Sequence, residues 1–249
     1  MTPIFELKNV CKSFGKVTAL DGINLTIMPT ERVAIVGPSG AGKTTLLNLL
    51  NGSIRPDAGE VRVLGQNLTT LSRKQLRHIQ RQIGTVYQQF HLVEPLRVIH
   101  NINAGHLGHW SATKALFSLI KPLAVAQAQE ALVQVGIPEK LYAQTSHLSG
   151  GQKQRVALAR VLVQNPQAIL ADEPISNLDP RRRHEIMDLI RRLVDQTGKT
   201  LILNLHSIEF AYTHCHRIIG LRHGRIQFDD VPERISEQHV HELYRLETL

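Results

Sequence analysis

The chain has 249 residues, with 29 Lys and Arg against 21 Asp and Glu, a net charge of +8 with histidine neutral. Its 42% apolar and 20% charged content can build a core and excludes wholesale disorder. Two cysteines, Cys11 and Cys215, are too few for a disulfide scaffold or a four-ligand zinc site and read as reduced thiols.

In chain order, residues 4–10 alternate and predict a strand. Residues 20–28 predict another, ending at Pro29, and 32–36 form a short apolar run closed by Gly37, the mark of a buried strand. A helix follows over 42–51, with Leu46, Leu47, Leu49 and Leu50 on its apolar face and Asn51-Gly52 at its end. A strand over 59–64, a basic amphipathic helix over 73–82 and a strand over 83–87 come next. From 98 to 137 the pattern is helical, broken at Gly105, Gly108 and Lys121-Pro122, with a strong helix over 124–135. Helices over 151–163 and 182–197 flank a buried strand at 168–171. A further buried strand covers 200–205, a helix 208–216, and a hairpin turning at His223-Gly224 joins strands 217–222 and 225–228. Strands alternating with helices imply an α/β fold with a mainly parallel sheet covered on both faces. The helical middle, about 89–163, reads as a second subdomain within one domain spanning 1–249, and a polar tail occupies 229–249.

No apolar run approaches the ~20 residues that span a bilayer. The best candidate, 115–126, is broken by Lys121 and Pro122, and residues 1–12 carry Glu6 and Lys8 where a secretory signal is apolar. The chain is expected not to cross a membrane by itself. Basic groups cluster at Arg73, Lys74, Arg77 and Arg81, at 181–183, and at Arg191 and Arg192. They alternate with apolar residues at helical spacing and read as solvated helix faces, with nucleic acid or an anionic membrane surface as the alternatives. Aromatics are 4% and do not interleave with basic residues, so no nucleic-acid platform is expected.

Gly37-Pro38-Ser39-Gly40-Ala41-Gly42-Lys43-Thr44 fits the P-loop pattern between a buried strand and a helix. Its glycines let successive N–H groups point at phosphate oxygens, and the helix start adds partial positive charge. Lys43 is expected to reach the β- and γ-phosphates of ATP and the Thr44 hydroxyl to ligate Mg²⁺. Thr45 belongs to the same loop end. Asp172 and Glu173 close the apolar run 168–171, on the sheet edge that also carries the P-loop. Asp172 is expected to hold Mg²⁺ and Glu173 to polarise the attacking water. Leu148-Ser149-Gly150-Gly151-Gln152 opens a helix. It reads either as a second phosphate loop without a lysine or as an ordinary capped helix start.

Together these motifs resemble the nucleotide-binding ATPase of the ATP-binding cassette transporter family, over about residues 3–228. The segment 148–152 is the element that other P-loop enzymes lack. The resemblance implies a P-loop NTPase core with an N-terminal antiparallel β subdomain and an inserted helical subdomain. It further implies that Phe14 stacks on adenine and that Gln88 is the Q-loop glutamine touching Mg²⁺ and water, with Gln89 as the neighbouring alternative. Ser176-Asn177-Leu178-Asp179 would be the D-loop at the dimer interface, and His206 the switch histidine that contacts the γ-phosphate. Two chains would pack head to tail as a homodimer, with Ser149 and Gly151 acting on the ATP held by the partner's P-loop.

The resemblance also implies a separate integral membrane permease, docked on an apolar groove at Phe90, Leu92, Val93 and Leu96. It implies a periplasmic or lipid-anchored binding protein acting indirectly, and a peripheral location on the cytoplasmic face of the bacterial inner membrane. The tail after Phe228 leaves no room for the regulatory domain of sugar-importer ATPases. The insertion 101–123 and the run Leu203-Asn204-Leu205-His206 are similar to those in ATPases of phosphonate importers, which implies uptake of a phosphonate, phosphite or related phosphorus oxyanion. The alternatives are an importer of polar amino acids or methionine, or a soluble cassette protein acting on ribosomes or DNA. Proteins of that last kind usually carry two cassettes or a long inserted module.

Overall fold

The computed structural model describes residues 2–176 and 178–245. The chain opens with β1 (Phe5–Phe14) and β2 (Val17–Ile27), an antiparallel pair. β1 runs four residues past the alternating stretch. Asn9, at φ +48°, sits where the register shifts between Leu7 and Val10, so alternation breaks while the ladder continues to Phe14 opposite Val17. β4 (Ala58–Val63) pairs with the other edge of β1 and with the two-residue β5 (Gln66–Asn67), completing a four-stranded antiparallel sheet.

The second sheet has six strands. β3 (Arg32–Val36), β6 (Ile83–Val86), β7 (Ala168–Asp172), β8 (Thr200–Leu205) and β9 (Arg217–Arg222) run parallel, and β10 (Arg225–Asp230) pairs antiparallel with β9 at the edge. The order is β10-β9-β3-β8-β7-β6. Its parallel strands are buried on both faces, whereas the edge strand β10 is half-exposed. Val33 and Ile35 of β3 enter the apolar cluster shared with the first sheet and with α1 (Lys43–Leu50), whereas Ala34 and Val36 enter the cluster on the opposite face. β7 divides likewise, Ala168 and Leu170 against Ile169 and Ala171. Period-2 side-chain direction thus makes one apolar run serve two cores.

Around the sheets lie α2 (Arg73–Gln80), α3 (Val98–Asn103), α4 (Ala112–Ile120), α5 (Val125–Gln134), α6 (Gly150–Gln164), α7 (Pro180–Thr197), α8 (Ile208–His214) and α9 (Glu237–Tyr244). Of the expected breaks in the middle segment, Gly108 and Lys121-Pro122 fall outside helices, whereas Gly105 lies in a 3-10 turn, Ala104–His106, that continues α3. α4 stops at Ile120 because proline restricts the residue before it to extended backbone. Most helices bury their apolar stripe: α7 sinks Ile186, Met187, Leu189, Ile190, Leu193 and Val194, each worth roughly 1.5–3 kcal/mol when fully buried. α9 seats Leu243 in the core, so the polar tail is anchored there. The exception is α4, which leaves its large apolar side chains exposed.

The middle is tied to the sheet by polar groups. Arg160 on α6 donates to the carbonyls of His91 at 2.7 Å and Phe90 at 2.8 Å. Gln164, one turn on, donates to the carbonyls of Arg81 and Ile83 at 3.0 Å. No helix among the described residues is long and apolar enough to cross a membrane.

Candidate active site

The P-loop leaves the buried end of β3 and closes into α1 at Gly42. A Cβ on Gly37 would lie 2.0 Å from the Leu221 carbonyl oxygen, and one on Gly42 would lie 2.3 Å from that of Ala19. Both also have positive φ, so only glycine fits at these two positions. The loop residues Ser39 to Thr45 line a cleft of about 260 Å³ together with Val17, Ala19, Glu173, Asn204 and His206. Lys43 is buried and donates to the carbonyls of Gly37 at 2.7 Å and Pro38 at 2.9 Å. Burial pulls its ammonium below the usual lysine range, against the opposing charges of Glu173 and Asp172.

The parallel register brings the other polar groups to this edge. Asp172 of β7 lies opposite Asn204 of β8, and the Asn204 amide donates to Asp172 Oδ1. The Thr44 hydroxyl donates to the same oxygen at 3.3 Å. Glu173, the first residue past β7, has φ +49°, a conformation that costs a non-glycine residue of order 1 kcal/mol or more. That turn aims its carboxylate away from Asp172. Gln88 Nε2 donates to Glu173 Oε2 at 2.9 Å, and His206 Nε2 lies 2.5 Å from Glu173 Oε1. Residues 88, 173 and 206 come from three separate strand ends, so only the sheet gathers them.

Other expected site residues stand elsewhere. Phe14 is 52% exposed rather than core, with Lys12 Nζ 5.4 Å from its ring centroid. It pairs across the hairpin with Val17, which lines the cleft, and does not line it itself. Ser149, Gly150, Gly151 and Gln152 also lie outside the cleft of their own chain. Ser149 caps α6 by accepting from Gln152 N–H at 3.4 Å, and Ser149 N–H donates to Gln152 Oε1 at 3.0 Å, a reciprocal capping box. Asp179 caps α7, accepting from Arg182 N–H at 3.1 Å; Asn177 lies outside the described residues. In the apolar groove, Phe90, Leu92 and Leu96 are half-buried and Leu92 packs on the core, leaving Val93 as its exposed apolar member at 54%.

Two groups at the site have no role assigned from the sequence, although Asn204 lies in the run 203–206. Asn204 orients Asp172, and only strand register reveals it. Tyr244, on α9, donates its hydroxyl to the His206 carbonyl at 3.3 Å. Burial raises its pKa, and the Gly37 backbone opposes that shift.

A glycine-rich loop between a central parallel strand and its helix, with carboxylates on the neighbouring strand end, is the architecture of an α/β P-loop nucleoside triphosphatase. The chain belongs to the ABC transporter family, whose model matches residues 20–176. It is 42% identical over 231 residues to the phosphonates import ATP-binding protein PhnC 1 of Pseudomonas syringae pv. syringae, covering 93% of this chain and 87% of the relative. Among solved structures it resembles a dimeric ATP-binding cassette in a post-hydrolysis state bound to ADP and Pi, with TM-score 0.77 and 34% identity over 92% of this chain and 98% of that one. It also resembles cbiO1 of Clostridium perfringens, part of the ABC transporter complex cbiONQ, with TM-score 0.82 and 28% identity over 97% and 94% of the two chains.

Proposed function

We propose that the chain is the ATP-hydrolysing subunit of a bacterial importer of phosphonate, phosphite or a related phosphorus oxyanion. The observation that carries hydrolysis is the placement of Glu173 between Gln88 and His206 at the mouth of the P-loop cleft. Glu173 accepts a proton from water, His206 and Gln88 orient its two oxygens, and Lys43 with the loop N–H groups holds the phosphates. The substrate class is supported by relatives at 41–43% identity that are named for phosphonates import.

The donor set at Thr44 and Asp172 is all oxygen, which suits Mg²⁺. Among the described residues no group of three or more His, Cys, Asp or Glu is preassembled to hold a metal. Thr44, Asp172 and Gln88 would therefore hold Mg²⁺ with oxygens of the nucleotide and water, and the ion would supply charge neutralisation at the phosphates.

The whole chain acts as one nucleotide-binding domain, its helical part near 89–163. Ser149 and Gly151 stand outside their own cleft and serve the ATP of a second copy in a head-to-tail homodimer, with Asp179 at the contact. Phe14 stacks on adenine at the rim next to Val17. The half-buried groove at Phe90 and Leu96, with Val93 exposed at its edge, receives a permease helix at the cytoplasmic face of the membrane. Arg160 links that groove to α6, which begins at Ser149. A binding protein delivers solute to the permease.

The test is ATP hydrolysis by the chain assembled with its co-encoded permease and binding protein. An alkylphosphonate is expected to stimulate turnover several-fold. Stimulation by methionine or a polar amino acid instead would overturn the substrate class. Val93→Glu is expected to leave basal hydrolysis intact and abolish the stimulation; full stimulation in that variant would place the permease elsewhere.

A further inference from the structure

α4 is turned inside out relative to every other long helix of the fold. The face it buries carries Ser118 and Ala115, while Leu116 (67% exposed), Phe117, Leu119 and Ile120 (82% exposed) face solvent. At 100° per residue, 116, 119 and 120 fall within about 100° of one another with 117 at their margin, so they form one continuous stripe. Local hydrogen bonds hold the helix and its base together. Ser111 caps the helix by accepting from Lys114 N–H at 3.3 Å, and the Ser118 hydroxyl donates to the Ala115 carbonyl at 2.7 Å. Asn103 donates to the Leu123 carbonyl at 2.7 Å, closing the base of the segment. Exposed apolar side chains gathered on one face mark a contact surface.

Charge identifies the partner. Residues 61–129 contain eight Lys and Arg and a single acid, Glu94, a net +7, although Arg62 among them pairs with Glu60 just outside the stretch at 2.9 Å. Lys114 and Lys121 bracket the apolar stripe, both exposed. Arg77 and Arg81, at the end of α2, share a cleft of about 560 Å³ with Trp110, Ala112 and Ala115 at the start of α4. Arg81 is held along this wall, since a Cβ on Gly108 would lie 2.7 Å from its Cγ. The basic helix and the apolar helix therefore meet on one side of the molecule. A permease surface offers no general reason for so one-sided a charge, whereas an anionic bilayer asks for both an apolar stripe and a basic rim.

We propose that α4 is an interfacial helix that seats this subunit directly on anionic lipid, with Leu116, Leu119 and Ile120 entering the acyl boundary and Lys114, Lys121, Arg77 and Arg81 meeting the headgroups. This contact is separate from the P-loop cleft and does not depend on which solute the permease carries.

Trp110, the chain's single tryptophan, reports on the site. It stacks on His106 at 4.8 Å and carries Lys114 Nζ 5.0 Å from its ring centroid, so it senses α4 from its first turn. The experiment titrates the isolated full chain with vesicles of phosphatidylcholine alone or with 30% phosphatidylglycerol, following Trp110 emission and vesicle flotation. Binding to the anionic vesicles, at least tenfold tighter than to neutral ones and weakening steeply with salt, is expected. The triple variant Leu116→Ser, Leu119→Ser, Ile120→Ser is expected to lose that binding at least tenfold while its basal ATP hydrolysis stays within twofold. If the triple variant misfolds, Lys114→Glu with Lys121→Glu replaces it, with the same expectation. No flotation with anionic vesicles at low salt overturns the proposal, as does binding that the variants leave unchanged. Association of α4 with a second copy, seen as self-association lost in the triple variant without vesicles, would overturn it in favour of a protein partner. So would loss of permease co-purification in lipid-free detergent.

Discussion

His206 and Glu173 meet tip to tip, Nε2 to Oε1 at 2.5 Å, although they lie 33 positions apart with α7 and β8 between them. The contact is possible because Glu173 takes a left-handed backbone conformation one residue beyond β7, which turns it from Asp172 toward β8. Glu173→Gln keeps the shape and the Gln88 and His206 contacts within reach but cannot take a proton. It is expected to bind ATP with little change and to lose hydrolysis by 10²-fold or more. Nucleotide-binding titration and phosphate release measured on the same preparation check this; near-wild-type turnover removes Glu173 from the chemistry.

Tyr244 couples the end of the described chain to the same centre. Its hydroxyl donates to the His206 carbonyl, so α9 clamps the backbone at the switch position. Tyr244→Phe retains the ring in place and removes the clamp. With a net hydrogen bond worth about 1 kcal/mol, kcat is expected to fall roughly fivefold while the ATP concentration at half-saturation changes less than twofold. A loss carried wholly by weaker ATP binding would make the contact a prop for the P-loop alone.

The position of Ser149 outside its own cleft allows sharing of the site to be measured. A mixed dimer carries Lys43→Ala in one chain and Ser149→Arg in the other. With sharing, both lesions fall on one site and the second stays intact, so about half the nucleotide binding is expected to remain. Sites wholly within one chain would each carry one lesion. Loss of binding at both sites, seen by stoichiometric titration with labelled ATP, would rule out the shared arrangement.

His214 predicts a pH effect on stability. It is buried against Phe210, and burial lowers its pKa from 6.5, with Arg191 acting in the same direction and Asp188 and the Phe210 carbonyl opposing. The fold therefore favours the neutral imidazole, whereas the unfolded chain binds a proton near the ordinary value. Its stabilising contribution is present above about pH 6.5 and is lost as pH falls below it toward the folded pKa. Urea unfolding midpoints at pH 7.5 and 5.5 are expected to differ more in the native chain than in His214→Gln. An unchanged difference would assign the acid sensitivity to other groups.

Local sequence alone determined the strands and helices whose periodicity is strong, such as β3 and α7, and the P-loop, whose glycines leave no room for a Cβ beside the Leu221 and Ala19 carbonyls. It also determined the cap at Ser149, because hydroxyl and amide lie three residues apart and satisfy each other within one turn. What lies far apart in sequence was decided only by tertiary structure. The full length of β1 follows from its hairpin partner rather than from its own alternation. Asn204 reaches Asp172 through the register of β7 on β8, and Tyr244 reaches His206 through the docking of α9, and neither relation leaves a periodic trace. The groove residues show the converse: Leu92 is apolar at a loop position, and only packing reveals that it rests on the core while Val93 beside it stays exposed. The direction of α4 is the plainest case. Its sequence encodes an apolar stripe, but which side that stripe faces depends on where the base of the insertion is fastened. Asn103 fastens that base to the Leu123 carbonyl, and the small residues Ala115 and Ser118 are the ones that face inward.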